Sequence, residues 1–314
     1  MIYKIAVIDD YLNITKDLID WSEIPNSKVD FYTDTLADKN EFIQRLLPYN
    51  IIVIIRERSK FPKDILECLP NLSLIAASGT GLANIDLLSA KKNNIHITTT
   101  KGIRSSSGES TAEITWSLIL ALSKQLVIHH NNFLHGKWQS EKIDELYGKK
   151  IGILGLGRIG LKVAKIAQVF GMETIGWSRT IDQKRADINK IKLVSKDQLL
   201  SDSDYLSVHL KLTEETINFI QLRQLQMMKK SAFIVNTARG AIINENDLIF
   251  ALENKIISGA GLDVFETEPL PKEHKLAQLD NVILSPHLGY ATLTNIKEYM
   301  EISKINIISW LNNQ

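Results

Sequence analysis

The sequence predicts an α/β protein of two domains, each a parallel sheet flanked by helices. Three observations predict it. Short apolar, β-rich runs recur along the chain, each closed by polar or glycine residues and followed by a helical pattern. That alternation marks buried parallel strands with crossover helices. At 314 residues the chain exceeds what one hydrophobic core comfortably serves. The strand–helix pattern also breaks near residue 105 and restarts near residue 150.

In the first series, residues 5–8, 51–55, 74–77 and 95–99 read as strands, together about one small domain long. Residues 105–110, Ser-Ser-Ser-Gly-Glu-Ser, are small and polar, with hydroxyls suited to cap a helix. A long apolar helix is expected next, through Ile114, Trp116, Leu118, Ile119, Leu122 and Leu126. The second series of strands is 150–154, 174–177, 205–208, 233–235, 259–262 and 282–284, enough for one doubly wound domain. After Gly289 a single helical pattern (Ile296, Tyr299, Met300, Ile302, Ile305, Ile308, Leu311) is expected to pack back on the first domain, with Trp310 and Leu311 as core. The expected division is therefore 1–104 completed by 289–314, against 105–288, with a ligand cleft between the two.

Composition narrows the function. With 44% hydrophobic and 23% charged residues the chain is an ordinary globular protein. A net charge of +1 without a dense Lys/Arg run argues against nucleic acid or an anionic membrane as partner, and leaves a small anionic ligand open. Cys68 is the one cysteine, so no intrachain disulfide forms, which fits a reducing compartment. The N-terminus reads as a strand rather than a signal peptide, and no apolar run nears the roughly 20 residues that cross a bilayer. A cytoplasmic location is expected. His129, His130 and His135 have no Cys or carboxylate at ligand spacing, so no metal is expected, and residues 126–138 are expected at the surface or a subunit contact.

The strongest local signal is Gly155-Leu156-Gly157-Arg158-Ile159-Gly160, after a strand and opening a helix. Gly155 permits the tight turn, Gly157 lets backbone N–H groups approach a pyrophosphate, and Gly160 lets helix and strand pack closely; the helix N-terminus favours negative charge. The signal predicts a Rossmann-type site for NAD or NADP. The next strand should end in an acid if the ribose carries a free 2′-hydroxyl. Ser178 stands there instead, followed by Arg179. A missing carboxylate and an adjacent guanidinium favour NADP over NAD, with Arg179 as a solvated surface charge the alternative.

Three segments place polar residues just beyond strands: Asn236-Thr237-Ala238-Arg239-Gly240, Asp263-Val264-Phe265-Glu266-Thr267-Glu268-Pro269, and Ser285-Pro286-His287-Leu288-Gly289. Reducing a 2-oxo acid requires a cation for the carboxylate and carbonyl oxygen and a proton donor for the developing alkoxide. Arg supplies a planar, always-charged fork. His transfers a proton near neutrality, and a neighbouring carboxylate orients it and raises its pKa.

The order and spacing of Arg239, Glu268 and His287 behind the glycine motif resemble the D-isomer-specific 2-hydroxyacid dehydrogenase family, which includes phosphoglycerate, glycerate, formate and D-lactate dehydrogenases and glyoxylate/hydroxypyruvate reductases. The likeness covers nearly the whole chain and rests on GLGRIG, NTARG, LDVFETEP and SPHLGY. It implies a Rossmann-type nucleotide domain plus a smaller, discontinuous flavodoxin-like substrate domain. The implied reaction is hydride transfer between nicotinamide C4 and C2 of a small 2-hydroxy or 2-oxo acid. Arg239 would bind substrate, His287 would be the acid/base, and Glu268, preferred over Glu266, its partner. Asp263 would lie near the nicotinamide carboxamide and Thr237-Ala238 would line its pocket. Ser78-Gly79-Thr80-Gly81 resembles the loop whose amides hold the substrate carboxylate. Arg56-Glu57-Arg58-Ser59 either faces the cleft or forms surface ion pairs.

The resemblance further implies a homodimer joined through the 114–138 region, and domain closure on hinges near 101–105 and 288–291. The sequence departs from the family at Lys211, where many members carry Pro, and at Ser178. It ends too early for an appended regulatory domain. Phosphite or formate oxidation is the rival chemistry. A cofactor-responsive corepressor without turnover is the rival from another class.

Overall fold

Runs such as Ile51-Ile52-Val53-Ile54 are apolar on both faces, and only a parallel sheet covered on both sides satisfies such a strand. The computed structural model describes residues 2–100, 108–180 and 183–314. It divides into two compact units, Met1–Ser106 with Leu293–Gln314, and Ser107–Thr292.

The first unit holds β1 (Tyr3–Ile8), α1 (Thr15–Leu18), β2 (Ser27–Phe31), α2 (Lys39–Leu46), β3 (Ile51–Ile54), α3 (Lys63–Leu66), β4 (Leu74–Ala77), α4 (Leu87–Lys92) and β5 (His96–Thr99). Its five strands are parallel in the order β2-β1-β3-β4-β5, the flavodoxin order. Asp38 and Asp86 cap α2 and α4 by accepting from first-turn N–H groups. The C-terminal helix, Leu293–Leu311, joins this unit. Lys304 pairs with Glu23 at 2.7 Å, Asn306 donates to the Thr99 carbonyl at 3.2 Å, and half-buried Trp310 meets Tyr3 edge-to-face at 6.0 Å. Phe61 is fully buried, its ring 5.5 Å from that of Phe42.

The second unit follows as α5 (Glu109–Ser123), α6 (Leu126–Leu134), β6 (Lys150–Leu154), α7 (Arg158–Val169), β7 (Glu173–Trp177), α8 (Gln183–Ile188), β8 (Lys192–Leu193), α9 (Lys196–Asp202), β9 (Tyr205–Val208), α10 (Leu222–Met227), β10 (Phe233–Asn236), α11 (Glu245–Glu253), β11 (Gly259–Leu262) and β12 (Val282–Leu284). All seven strands are parallel, ordered β12-β11-β10-β9-β6-β7-β8. Counted within this unit that is the Rossmann order with a seventh strand added.

Two strands escaped the sequence reading, and both lie at sheet edges. In β2, Ser-Lys-Val-Asp-Phe alternates polar and apolar, and β8 is two residues long. The single long helix expected through Leu126 is corrected to two, because Gln125 adopts φ +48 and the chain bends by 60° between α5 and α6. Hydroxyl capping is corrected as well: Gly108, at φ +80, occupies the α5 N-cap and makes no side-chain cap. Residues 105–107 and the expected hinge at 101–105 lie outside the described residues. Among the described residues no single helix is long and apolar enough to cross a membrane; the bent α5–α6 pair passes by length and composition, and α5 buries Trp116, Leu118, Ile119 and Leu122 in the core. No group of three His, Cys, Asp or Glu among them is placed to hold a metal.

One half-buried imidazole is expected to make the fold pH-sensitive. His209, just past β9, donates its N–H to the Leu154 carbonyl at 2.8 Å, and its ring Nε2 lies 2.8 Å from the buried Ser207 Oγ. Desolvation pushes the imidazole down to about 3, whereas the unfolded chain protonates it near the ordinary value of 6.5. The native state therefore binds fewer protons, and the stability held above pH 6.5 is lost as pH falls toward the native value. Acidifying from pH 7.5 to 5 is expected to lower the urea midpoint more in the parent than in His209→Gln; equal slopes would contradict the assignment. Separately, Phe61→Ala should lower unfolding free energy by about 3–5 kcal/mol in the same assay.

Candidate active site

Because the strands of the second unit are parallel, their C-terminal ends share one sheet edge, and the glycine motif sits there at the switch point between β6 and β9. Gly155 has φ +106, and a Cβ on it would lie 2.8 Å from the backbone of His209. A Cβ on Gly160 would lie 2.1 Å from the Gly155 carbonyl oxygen. A Cβ on Gly157, the N-cap of α7, would meet nothing described within 4 Å. Leu156 turns into the core, Ile159 is half-buried and Arg158 is exposed. The motif thus presents backbone rather than side chains, at a helix end whose first N–H groups have no intrahelical acceptor and whose dipole attracts anions. These residues fit a dinucleotide pyrophosphate.

At the end of β7, Ser178 Oγ accepts from Thr180 N–H at 3.4 Å, and exposed Arg179 pairs with Glu215 of the 214–216 turn beyond β9. No carboxylate stands at the strand end itself.

The loops after β10, β11 and β12 interlock. Buried Asn236 accepts from Ala238 N–H and donates to the Arg239 carbonyl, both at 3.0 Å, which fixes the Thr237–Arg239 turn. Thr237 Oγ1 lies 2.8 Å from Thr115 Oγ1 on α5, and Arg239 Nη1 donates to the Ala238 carbonyl at 2.7 Å. A Cβ on Gly240 would lie 2.0 Å from the Phe265 carbonyl carbon, so the loops after β10 and β11 touch backbone to backbone.

Asp263, fully buried at the end of β11, organises the next turn. Its Oδ1 accepts from Ser285 Oγ at 2.5 Å and Leu288 N–H at 2.7 Å, and its Oδ2 from Gly289 N–H at 2.8 Å. Desolvation pushes this carboxyl above its ordinary value, and those three donors, with His287, pull the other way. Both oxygens are engaged by the chain itself, so Asp263 acts on the 285–289 turn rather than extending a bare carboxylate toward a ligand. His287 sits in that turn at φ +52. Its Nδ1 lies 2.6 Å from Glu268 Oε2, and Glu268 Oε1 accepts from Phe265 N–H at 2.9 Å. Tyr290 meets the imidazole edge-on at 5.2 Å. Glu266 is exposed, its backbone N–H donating to Glu245, so Glu268 is the carboxylate that reaches the imidazole.

In the first unit, Ser78 is buried with Oγ accepting from Arg56 N–H at 2.8 Å and its own N–H donating to the Ile54 carbonyl. Gly79, at φ +87, donates its N–H to Thr100 Oγ1 at 2.6 Å. Through these bonds Ser78 and Gly79 shape the loop. Arg56 packs under Gly79 and Glu57 under Gly81, the two side chains 3.6 Å apart.

The structure gives roles to groups to which the sequence reading assigned none. Asn236 and Ser285 hold the catalytic-edge turns, His209 backs Gly155, and Glu215 engages Arg179. Only Asn236 carries a local signal, an amide at a strand end followed by a turn. The others act through contacts distant in sequence.

A sequence model described as the NAD binding domain of D-isomer specific 2-hydroxyacid dehydrogenases matches residues 116–289. The chain is 37% identical to a glyoxylate reductase of Thermococcus litoralis over 260 residues, covering 80% of this chain and 77% of that protein. It is 37% identical to a hydroxypyruvate reductase of Thermotoga maritima over 268 residues, covering 83% and 84%. Its fold superposes on a phosphoglycerate oxidoreductase from Vibrio cholerae with TM-score 0.93, 30% identity and full coverage of both chains. Glycine motif, strand-end loops and relatives agree: the chain belongs to the D-isomer specific 2-hydroxyacid dehydrogenases.

Proposed function

We propose that this NAD(P)-dependent oxidoreductase, which passes a hydride between its cofactor and C2 of a 2-hydroxy or 2-oxo acid, acts on a substrate of glyoxylate or hydroxypyruvate size. The observation that carries the reading is the His287 Nδ1–Glu268 contact of 2.6 Å, presented on the sheet edge that also carries Arg239 and the glycine motif. Its resemblance to a glyoxylate reductase and a hydroxypyruvate reductase supports the size class.

The nicotinamide supplies or takes the hydride at C4. His287 donates a proton from Nε2 to the substrate oxygen in the reducing direction and takes it back in the other. Glu268 holds Nδ1–H, which fixes the orientation of the ring and leaves Nε2 for the substrate. Arg239 binds the carboxylate and carbonyl oxygen as a charged fork. In the first unit, the Ser78-Gly79-Thr80-Gly81 loop is the proposed carboxylate-binding loop, its shape set by Ser78 and Gly79. Gly155–Gly160 holds the pyrophosphate, and Thr237-Ala238 and Asp263 support the nicotinamide end. Ser178 and Arg179 favour NADP over NAD. A cytoplasmic homodimer is part of the same proposal, supported by exposed Leu126, Phe133, Leu134 and Trp138.

The test follows NADPH and NADH oxidation with glyoxylate, hydroxypyruvate, pyruvate, phenylpyruvate, formate and phosphite, alongside cofactor titration by fluorescence. Glyoxylate or hydroxypyruvate should give the highest kcat/KM. His287→Ala should lower kcat by about 100- to 10,000-fold while leaving cofactor affinity within about threefold. Parent-like turnover in His287→Ala, or a parent active only on formate or phosphite, would overturn the reading.

A further inference from the structure

A second cavity lies on the same edge of the nucleotide-binding unit, about 310 Å³ in volume, walled by Trp177, Leu210 and Phe219 and rimmed by Arg179, Lys196 and Glu215. Trp177 and Phe219 rings lie 5.5 Å apart, and Lys196 Nζ sits 4.9 Å over the Phe219 face. The cavity adjoins the end of β7, where a bound dinucleotide places its adenosine ribose. The aromatic walls suit a flat base, and the rim holds two cations and one carboxylate.

That carboxylate comes from an unusual place. The end of β7 supplies Ser178 rather than an acid, and Glu215, thirty-odd positions downstream in the turn after β9, engages Arg179 instead. We propose that Glu215 and Lys196 determine the choice between phosphorylated and unphosphorylated nucleotide. Glu215 is the counter-charge that occupies Arg179 when the ribose carries a free hydroxyl. A 2′-phosphate takes Arg179 over, and Lys196, held over the Phe219 ring, supplies its second cation. The inference rests on the proposed nucleotide site and adds to it which residues discriminate.

The charges set the direction. With Glu215 in place the rim carries one net positive charge; without it, two. A phosphate near −2 gains from that change, whereas a hydroxyl gains little. Because Arg179 and Glu215 are half or more exposed, the gain is modest and salt-sensitive.

The experiment reads binding without turnover. Isothermal titration of adenosine 2′,5′-bisphosphate and adenosine 5′-monophosphate, and fluorescence titration of NADPH and NADH, are run on the parent, Glu215→Gln and Lys196→Met at 50 and 500 mM NaCl. Glu215→Gln is expected to tighten adenosine 2′,5′-bisphosphate and NADPH by about three- to tenfold and to leave adenosine 5′-monophosphate within twofold, the gain shrinking at high salt. Lys196→Met is expected to weaken the 2′-phosphorylated pair alone. If Glu215→Gln leaves the ratio between the two fragments unchanged, the inference is overturned while the nucleotide site stands. If the parent prefers NADH yet Glu215→Gln shifts it toward NADPH, the NADP preference fails and the inference stands. A parent that binds none of the four removes both.

Discussion

A single buried carboxylate governs the geometry of the catalytic edge. Asp263 gathers Ser285 Oγ and the N–H groups of Leu288 and Gly289 on its two oxygens. Between those anchors His287 is held at φ +52, a left-handed conformation that costs a non-glycine residue about 1–2 kcal/mol. Three charge-assisted hydrogen bonds offset that strain and also the desolvation of the carboxylate itself. With the turn fixed, the imidazole meets Glu268, whose other oxygen is tied to the Phe265 N–H. His287, the proposed acid/base residue, is therefore positioned from both sides by loops after two neighbouring strands.

Much of this was legible in the sequence because strand ends in a parallel sheet share an edge. Once the runs at 233–236, 259–262 and 282–284 are strands, Arg239, Glu268 and His287 must fall on one edge of the sheet. GLGRIG was equally legible: Gly155 and Gly160 meet steric demands that the backbone geometry displays, and Gly157 leaves the helix end open. What escaped was of two kinds. The edge strands β2 and β8 carry little apolar pattern, being covered on fewer sides than the central strands. The helix break at Gln125 escaped because α5 and α6 are both apolar, and periodicity alone does not register one residue with positive φ.

The site details that escaped depend on pairing across long sequence separations. Nothing around position 209 announces a desolvated imidazole behind the glycine turn, and nothing around position 215 announces a partner for Arg179. Ser78 and Gly79 show the converse: a glycine-rich loop was recognised, but its first two amides and its hydroxyl are engaged by Ile54, Thr100 and Arg56. Residue type located the loop, and only the hydrogen-bond accounting showed which of its groups shape it.

The central claim is that Glu268 holds the Nδ1–H of His287 and leaves Nε2 as the proton-transferring atom. Nitrogen-15 NMR of histidine-labelled protein, with His287 assigned by substitution, tests it most directly. In the neutral form the account predicts a protonated Nδ1 with a strongly deshielded proton, lost in Glu268→Gln, and an unprotonated Nε2. A neutral His287 that carries its proton on Nε2, unchanged by Glu268→Gln, would contradict it.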